Sequence, residues 1–213
     1  MSTFKNADGR GILLEMIRAI QTNKEYLGEI DGLIGDGDHG MNMNKGVTLY
    51  EEYLGTGNTS FTDGLDRLGM VLFNKIGGSM GPIYGTILTS MAEFGEDAEN
   101  IDLPLFTEML KKGLEGLYEI VEARPGDKTL VDTLYPAIQA LDKAREMGKS
   151  FRDALADMKE AARAGRDSTK DMAAKYGRSS RLGERSRGVL DAGAASCFII
   201  LNAMADGIIQ VLQ

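Results

Sequence analysis

Several residue types are scarce in this chain of 213 residues: one cysteine, one histidine, four prolines and no tryptophan. A lone cysteine, Cys197, excludes a disulfide framework and any cysteine-based zinc cluster. It also makes a reducing, cytoplasmic setting the simplest expectation. Positive charge is short as well, with 24 Lys and Arg against 32 Asp and Glu and a formal net charge of −8. That deficit argues against nucleic-acid binding, which needs a basic face to release counterions from phosphates. The apolar runs, such as Cys197–Leu201, fall far short of a membrane span, so no membrane partner is expected. The opening residues MSTFKNADGRG lack the charged-then-apolar pattern of a secretory signal. Repeats and low-complexity segments are missing too.

What is present favours helices. The length suits one domain over residues 1–213, with enough apolar chain for a core of its own. Ala, Leu, Glu, Lys and twelve methionines favour helix over strand. Ile12, Met16 and Ile20 recur every fourth residue and share one helical stripe. Phe106, Leu110, Leu114 and Leu117 repeat the pattern, as do Phe151, Leu155, Met158 and Ala162, with Ser150 placed as an N-cap. The expected fold is therefore all-α, with eight helices over 9–28, 40–54, 60–76, 83–95, 103–122, 129–147, 150–176 and 189–211 and strand content close to nil. Met16, Met70 and Met158 read as core filler, and Cys197 as buried and inert.

The loops after the first, third, fifth and seventh helices are dense in Gly, Asp and Ser: 31–40, 77–85, 124–129 and 177–193. Those after the second, fourth and sixth are plain. In an antiparallel up-and-down bundle, alternate loops emerge at the same end. One rim of the bundle is thus expected to carry all the unusual chemistry.

The first of these loops contains Gly35, Gly37 and Gly40 in G-x-G-x-x-G spacing. A dinucleotide turn has to follow a strand, however, and a helix precedes this one. An EF-hand also fails, because Val47 stands where the bidentate glutamate belongs. Asp31, Asp36 and Asp38 instead supply hard oxygen ligands on a tightly folding loop, a set that suits Mg²⁺ shared with a phosphate. One Asp-Gly pair would mean only a turn. Three aspartates and the one histidine within nine residues favour a metal–phosphate site. His39 is either a hydrogen-bonding residue at a helix start or, with neighbouring backbone N–H groups, a phosphate contact. Asn42 and Asn44 add neutral donors.

Gly77–Thr86 is a glycine-rich turn in which Ser79 and Thr86 hydroxyls and freed N–H groups make an anion nest, a flexible turn or close helix packing being the alternative. It lacks the Gly-Lys-Ser/Thr of a Walker A loop. In Pro125–Thr129, either Asp127 or Thr129 suits the cap of the sixth helix. The stretch 177–188 gathers four arginines, either a solvated charge run or a polyphosphate contact, and Asp191 is placed to cap the eighth helix.

GDGDHGMNMNKG at 35–46, GGSMGPIYGT at 77–86, ARPGDKTLVDTLYPA at 123–137 and GRSSRLGERSRGVLDAGAAS at 177–196 together resemble the nucleotide-binding L subunit family of dihydroxyacetone kinases. The resemblance covers essentially the whole chain. It implies an eight-helix antiparallel barrel holding ADP or ATP on the loops at one end. It further implies two Mg²⁺ on Asp31, Asp36 and Asp38. The implied nucleotide contacts are His39, Gly40, Met41, Asn42, Ser79, Met80, Leu130, Arg178, Asp191 and Gly193. Arg178 is the candidate catalytic cation. Val121 departs from the pattern, where a glycine near the base is expected. The implied partners are a K subunit that binds dihydroxyacetone and a phosphocarrier M subunit, with a homodimer as a further expectation.

Two forms of the kinase reading stand: exchangeable ATP as donor, or ADP held as a cofactor and rephosphorylated by the carrier. The alternatives are a tetrulose-type acceptor, fatty-acid phosphorylation (for which 213 residues leave little space), a nucleotide-loaded regulatory module, and a plain helical scaffold.

Overall fold

The apolar stripes read above are realised as amphipathic helices in a computed structural model that describes residues 2–213. Among the described residues, eight α-helices follow in order: α1 (Gly9–Ile34), α2 (His39–Leu54), α3 (Phe61–Lys75), α4 (Met80–Gly95), α5 (Leu103–Ile120), α6 (Val131–Glu146), α7 (Phe151–Ser168) and α8 (Ala192–Val211). Consecutive helices pack as neighbours and α8 returns to α1, so the ring closes on itself. Ile12, Ile17 and Ile20 of α1, Phe106 of α5 and Leu155 of α7 are fully buried inside it.

Close crossings are made by glycines. A side chain at Gly207 of α8 would sit 2.8 Å from the Ile12 Cα of α1. Gly69 of α3 and Gly85 of α4 each face the other's carbonyl oxygen, and a Cβ there would meet it at 2.9 and 3.0 Å. Pro136 lies inside α6 and has no N–H for the Asp132 carbonyl; Gly165 of α7 packs against that oxygen instead.

The two ends are finished differently. At one, β1 (Thr3–Lys5) pairs antiparallel with β2 (Asn100–Asp102), and Gln213 N–H donates to the Thr3 carbonyl at 2.9 Å. Phe4 seals this end against Phe61 and Phe151. At the other lie the glycine-rich loops, together with a 3₁₀ segment at Arg178–Ser186.

Several expectations are corrected. The small sheet is a strand element that no alternation announced. α1 continues past residue 28 to Ile34, because Gly28 and Gly32 do not end the helix but let the 35–38 loop lie against it. α7 stops at Ser168 rather than 176, where Thr169 turns back and its hydroxyl donates to the Arg166 carbonyl at 2.6 Å. Met16 and Met158 are core residues, but Met70 is half exposed, two places off the inward Leu68 and Leu72 of α3. α8 reaches membrane-spanning length and apolarity, with a mean hydropathy of 1.6, which the short run at 197–201 did not reveal. Packed against α1, α6 and α7 and largely buried, it is a stave of the barrel.

Candidate functional site

Topology sets the character of the loop-rich end. α2, α4, α6 and α8 all begin there, so four helix N-termini, with their free N–H groups and positive dipole ends, face one region. Asp38 and Ser79, at the N-cap positions of α2 and α4, make no side-chain capping bond among the described residues. First-turn donors of both helices are left for another acceptor.

Asp31 lies on the last turn of α1 rather than on the loop, and its carbonyl accepts from Gly35 N–H at 2.5 Å. Gly37, at φ 76°, reverses the chain and brings Asp36 and Asp38 back beside it. Oxygens of Asp31, Asp36 and Asp38 lie within 4.8 Å of one another. Three carboxylates this close repel unless a cation lies among them, and hard oxygens suit a hard divalent ion. The donor set therefore fits Mg²⁺. Arg178, reached across 142 residues of sequence, forms an ion pair with Asp36.

His39 opens α2 with its ring turned inward: Nε2 is 2.8 Å from Ser196 Oγ on α8. Burial pushes its pKa down to about 4, against the opposing pull of Asp38, so the imidazole is neutral at pH 7. The His39 backbone N–H points to Asp31 at 3.4 Å. Ser196 is also 2.6 Å from the Tyr84 hydroxyl of α4, and both reach the Gly193 carbonyl, at 3.1 and 3.2 Å. Neither Tyr84 nor Ser196 was singled out from the sequence. Tyr84 lies within the GGSMGPIYGT stretch, and Ser196 follows Gly193 by one helical turn.

Gly40 is buried against α1, where a Cβ would fall 1.8 Å from the Lys24 carbonyl oxygen. Met41 projects into solvent from the first turn of α2, and Asn42 N–H donates to the Asp38 carbonyl at 2.9 Å. Ser79 is exposed, with Met80 beside it partly buried on the core. Leu130 is buried at the start of α6, near Gly193. Val121 ends α5 in extended conformation, partly packed on the core.

Asp191 caps α8 as expected, accepting from Ala194 N–H at 2.7 Å. Burial raises its pKa to about 6, against the Ala194 hydrogen bond and the Lys128 charge. Asp127 does not cap α6: it accepts from Arg124 N–H at 2.8 Å and pairs with Lys175. Thr129 Oγ1 accepts from Val131 N–H at 3.2 Å, and the unforeseen Asp132 accepts from Gly126 and Thr129 N–H groups at 2.5 and 2.8 Å. Cys197 is buried, and burial raises its thiol pKa. The rim therefore carries the acidic triad with Arg178 paired to it, and on the same side the starts of α4 and α8 with Ser79, Asp191 and Gly193.

Comparison with known proteins gives a consistent picture. The profile described as the DAK2 domain matches residues 33–206. A protein of Listeria innocua named "PEP-dependent dihydroxyacetone kinase 1, ADP-binding subunit DhaL" is 38% identical over 186 residues, which are 87% of this chain and 88% of that protein. The Escherichia coli K12 "PEP-dependent dihydroxyacetone kinase, ADP-binding subunit DhaL" is 35% identical over 86% of this chain and 88% of its own length. In fold, the chain is similar to the crystal structure of the dihydroxyacetone kinase from C. freundii in complex with AMP-PNP and Mg²⁺. The TM-score is 0.70 with 22% identity over 94% of this chain, which spans about a third (34%) of that longer protein.

Proposed function

The chain belongs to the DAK2 domain family, and on that premise we propose that it is the nucleotide-binding subunit of a dihydroxyacetone kinase, acting as one domain over its whole length. The observation that carries this reading is the convergence of Asp31, Asp36, Asp38 and Arg178 at the end where four helices begin. Asp31, Asp36 and Asp38 would hold two Mg²⁺. When bound, these ions neutralise polyphosphate charge and stabilise the charge that develops as a phosphoryl group transfers.

The rest is work for the protein. The α2 and α4 N-termini present first-turn N–H groups, around Gly40–Met41 and Ser79–Met80, to phosphate oxygens, and Asn42 adds its side-chain amide. His39 keeps the start of α2 tied to α8 through Ser196. Arg178 offers a planar guanidinium that exchanges the Asp36 carboxylate for a phosphate oxygen. Leu130, Asp191 and Gly193, at the starts of α6 and α8, would add further contacts to the nucleotide. This chain offers a place for the donor, and dihydroxyacetone is bound by a separate K subunit. The exposed Leu33, Met41, Phe73 and Ile120, on end turns of helices at this rim, suit such a partner.

The names of the L. innocua and E. coli relatives favour the form in which ADP stays bound and is rephosphorylated by a phosphocarrier M subunit in the cytoplasm, with phosphoenolpyruvate as the ultimate donor. The test is gel filtration of purified protein followed by incubation with the carrier. Retained ADP that becomes phosphorylated supports this form, whereas rapid exchange with free ATP overturns it. In protein stripped of nucleotide, absence of any thermal shift with Mg-ADP overturns nucleotide binding altogether.

A further inference from the structure

Between α7 and α8 the chain makes its longest excursion, residues 169–191, and Arg178 lies near its middle. Two arms run out and back. They are cross-tied by Gly188 N–H to the Lys170 carbonyl at 2.8 Å, by Ala174 N–H to Ser186 Oγ at 2.8 Å, and by Arg187 to the Asp171 carbonyl. At their base lies Lys128, from the neighbouring 121–130 loop. Its side chain is fully buried, and Nζ donates to the Thr169 carbonyl at 2.6 Å and to the Val189 carbonyl at 2.5 Å, one on each arm. Lys128 also adopts φ 61°, the one non-glycine residue in the left-handed region among those described. Holding a lysine there costs backbone energy that an asparagine or glycine would avoid. The adjacent Asp127 binds the outgoing arm again through Lys175, whose N–H also donates to the Asp127 carbonyl at 3.2 Å.

We propose that Lys128 is a positioning residue: by clasping both arms with one buried ammonium, it holds Arg178 opposite Asp36. This rests on the nucleotide-site reading above, since it gives Arg178 its purpose. Among the described residues, Lys128 alone ties Thr169 and Val189 to the 121–130 loop through a single group, and that same loop ends at Leu130, beside Gly193.

The experiment compares wild type with Lys128→Met, Lys128→Gln, Arg178→Ala and the Lys128→Met/Arg178→Ala double variant. In ligand-free protein, hydrogen exchange of amides 170–188 should quicken in Lys128→Met while those of α1–α5 keep their protection. Unchanged protection of 170–188 overturns the clasp. Mg-ADP affinity should fall about tenfold in Lys128→Met, with Lys128→Gln intermediate. The double variant should be no weaker than Arg178→Ala, because the two changes remove one contribution. Losses that multiply would mean that Lys128 does not act through Arg178. Global unfolding of both Lys128 variants would make it a residue of the whole fold and overturn the proposal as well. If wild type binds no Mg-ADP, the nucleotide reading fails, and the exchange measurement still decides whether the clasp exists.

Discussion

The same eight helices end in opposite ways at the two rims of the barrel. At the rim carrying the termini, α3, α5 and α7 begin with Ser60, Asp102 and Ser150, each accepting a bond from a backbone N–H three residues on. Asn6 donates to Thr62 Oγ1 and the Ala98 carbonyl and accepts from Thr62 N–H, while Arg10 is bound to the carbonyls of Gly55 and Gly57. Polar groups there are spent on one another, the buried Tyr50 hydroxyl excepted. At the loop-rich rim, α2 and α4 begin without a capping side chain among the described residues, and three carboxylates crowd together. One rim is finished by its own chain. The other is left for a ligand to finish, and a fold that puts all even-numbered helix starts on one side supplies the donors without further design.

If the rims are independent, damage to one should leave the other intact. Phe4→Ala gives the largest effect, removing a buried ring from between Phe61 and Phe151 and lowering stability by about 4 kcal/mol. Chemical denaturation measures the loss. Mg-ADP affinity of the folded fraction should stay within about twofold of wild type, as for distant sites. Affinity that falls in step with stability would break the division.

The converse change is Asp36→Asn or Asp38→Asn. Either should weaken Mg-nucleotide binding by about 100-fold or more, judged by titration calorimetry, while the helical circular dichroism stays intact. Normal affinity in either variant removes the metal role from that carboxylate.

How much of this contrast the amino-acid sequence displays depends on the range of the forces involved. The alternation of plain and glycine-rich loops is a local property repeated along the chain, so the rim and its aspartates are legible from spacing. Arg178 is legible as a candidate, but its meeting with Asp36 depends on how the ring closes. The end of α7 is not legible: Asp171–Tyr176 has ordinary helical composition, and long-range bonds, among them those of Lys128 and Asp191 to Thr169, draw the chain away. The β1–β2 pair is hidden for the same reason, since three-residue strands carry no alternation and pair across nearly half of the chain. The Tyr84–Ser196–His39 contact is invisible too, because a buried hydroxyl finds its partner only after three helices have packed.

pH separates the rims again. His39 titrates near 6.5 when unfolded and about 4 in the fold, so its contribution is complete above pH 6.5 and lost as the pH falls toward 4. By pH 5 that loss is about 2 kcal/mol. Asp191 works in the opposite sense, and comparing wild type with His39→Gln in metal-free protein isolates the histidine. The difference in stability between the two should shrink by that amount between pH 8 and pH 5. A pH-independent difference would mean the ring is not held neutral.

The smallest effect sets two similar caps against each other. Asp102 caps α5 at the finished rim, accepting from Leu105 N–H at 2.9 Å, and Asp191 caps α8 at the other, accepting from Ala194 N–H at 2.7 Å. Asp102→Ala should cost about 1 kcal/mol, the usual value of a lost N-cap. Asp191→Asn keeps an acceptor at the cap and removes a charge that the fold disfavours, as its pKa of about 6 shows. A carboxylate raised in the fold contributes stability below pH 3.8 that disappears as the pH rises through 6, so the asparagine variant gains on wild type over that window and holds the gain above it. At pH 7 Asp191→Asn should melt at or above the wild-type temperature while binding Mg-ADP less well. A residue kept against stability is what a ligand-facing rim requires, and a melting temperature lowered as far as by Asp102→Ala would make Asp191 a cap like the others.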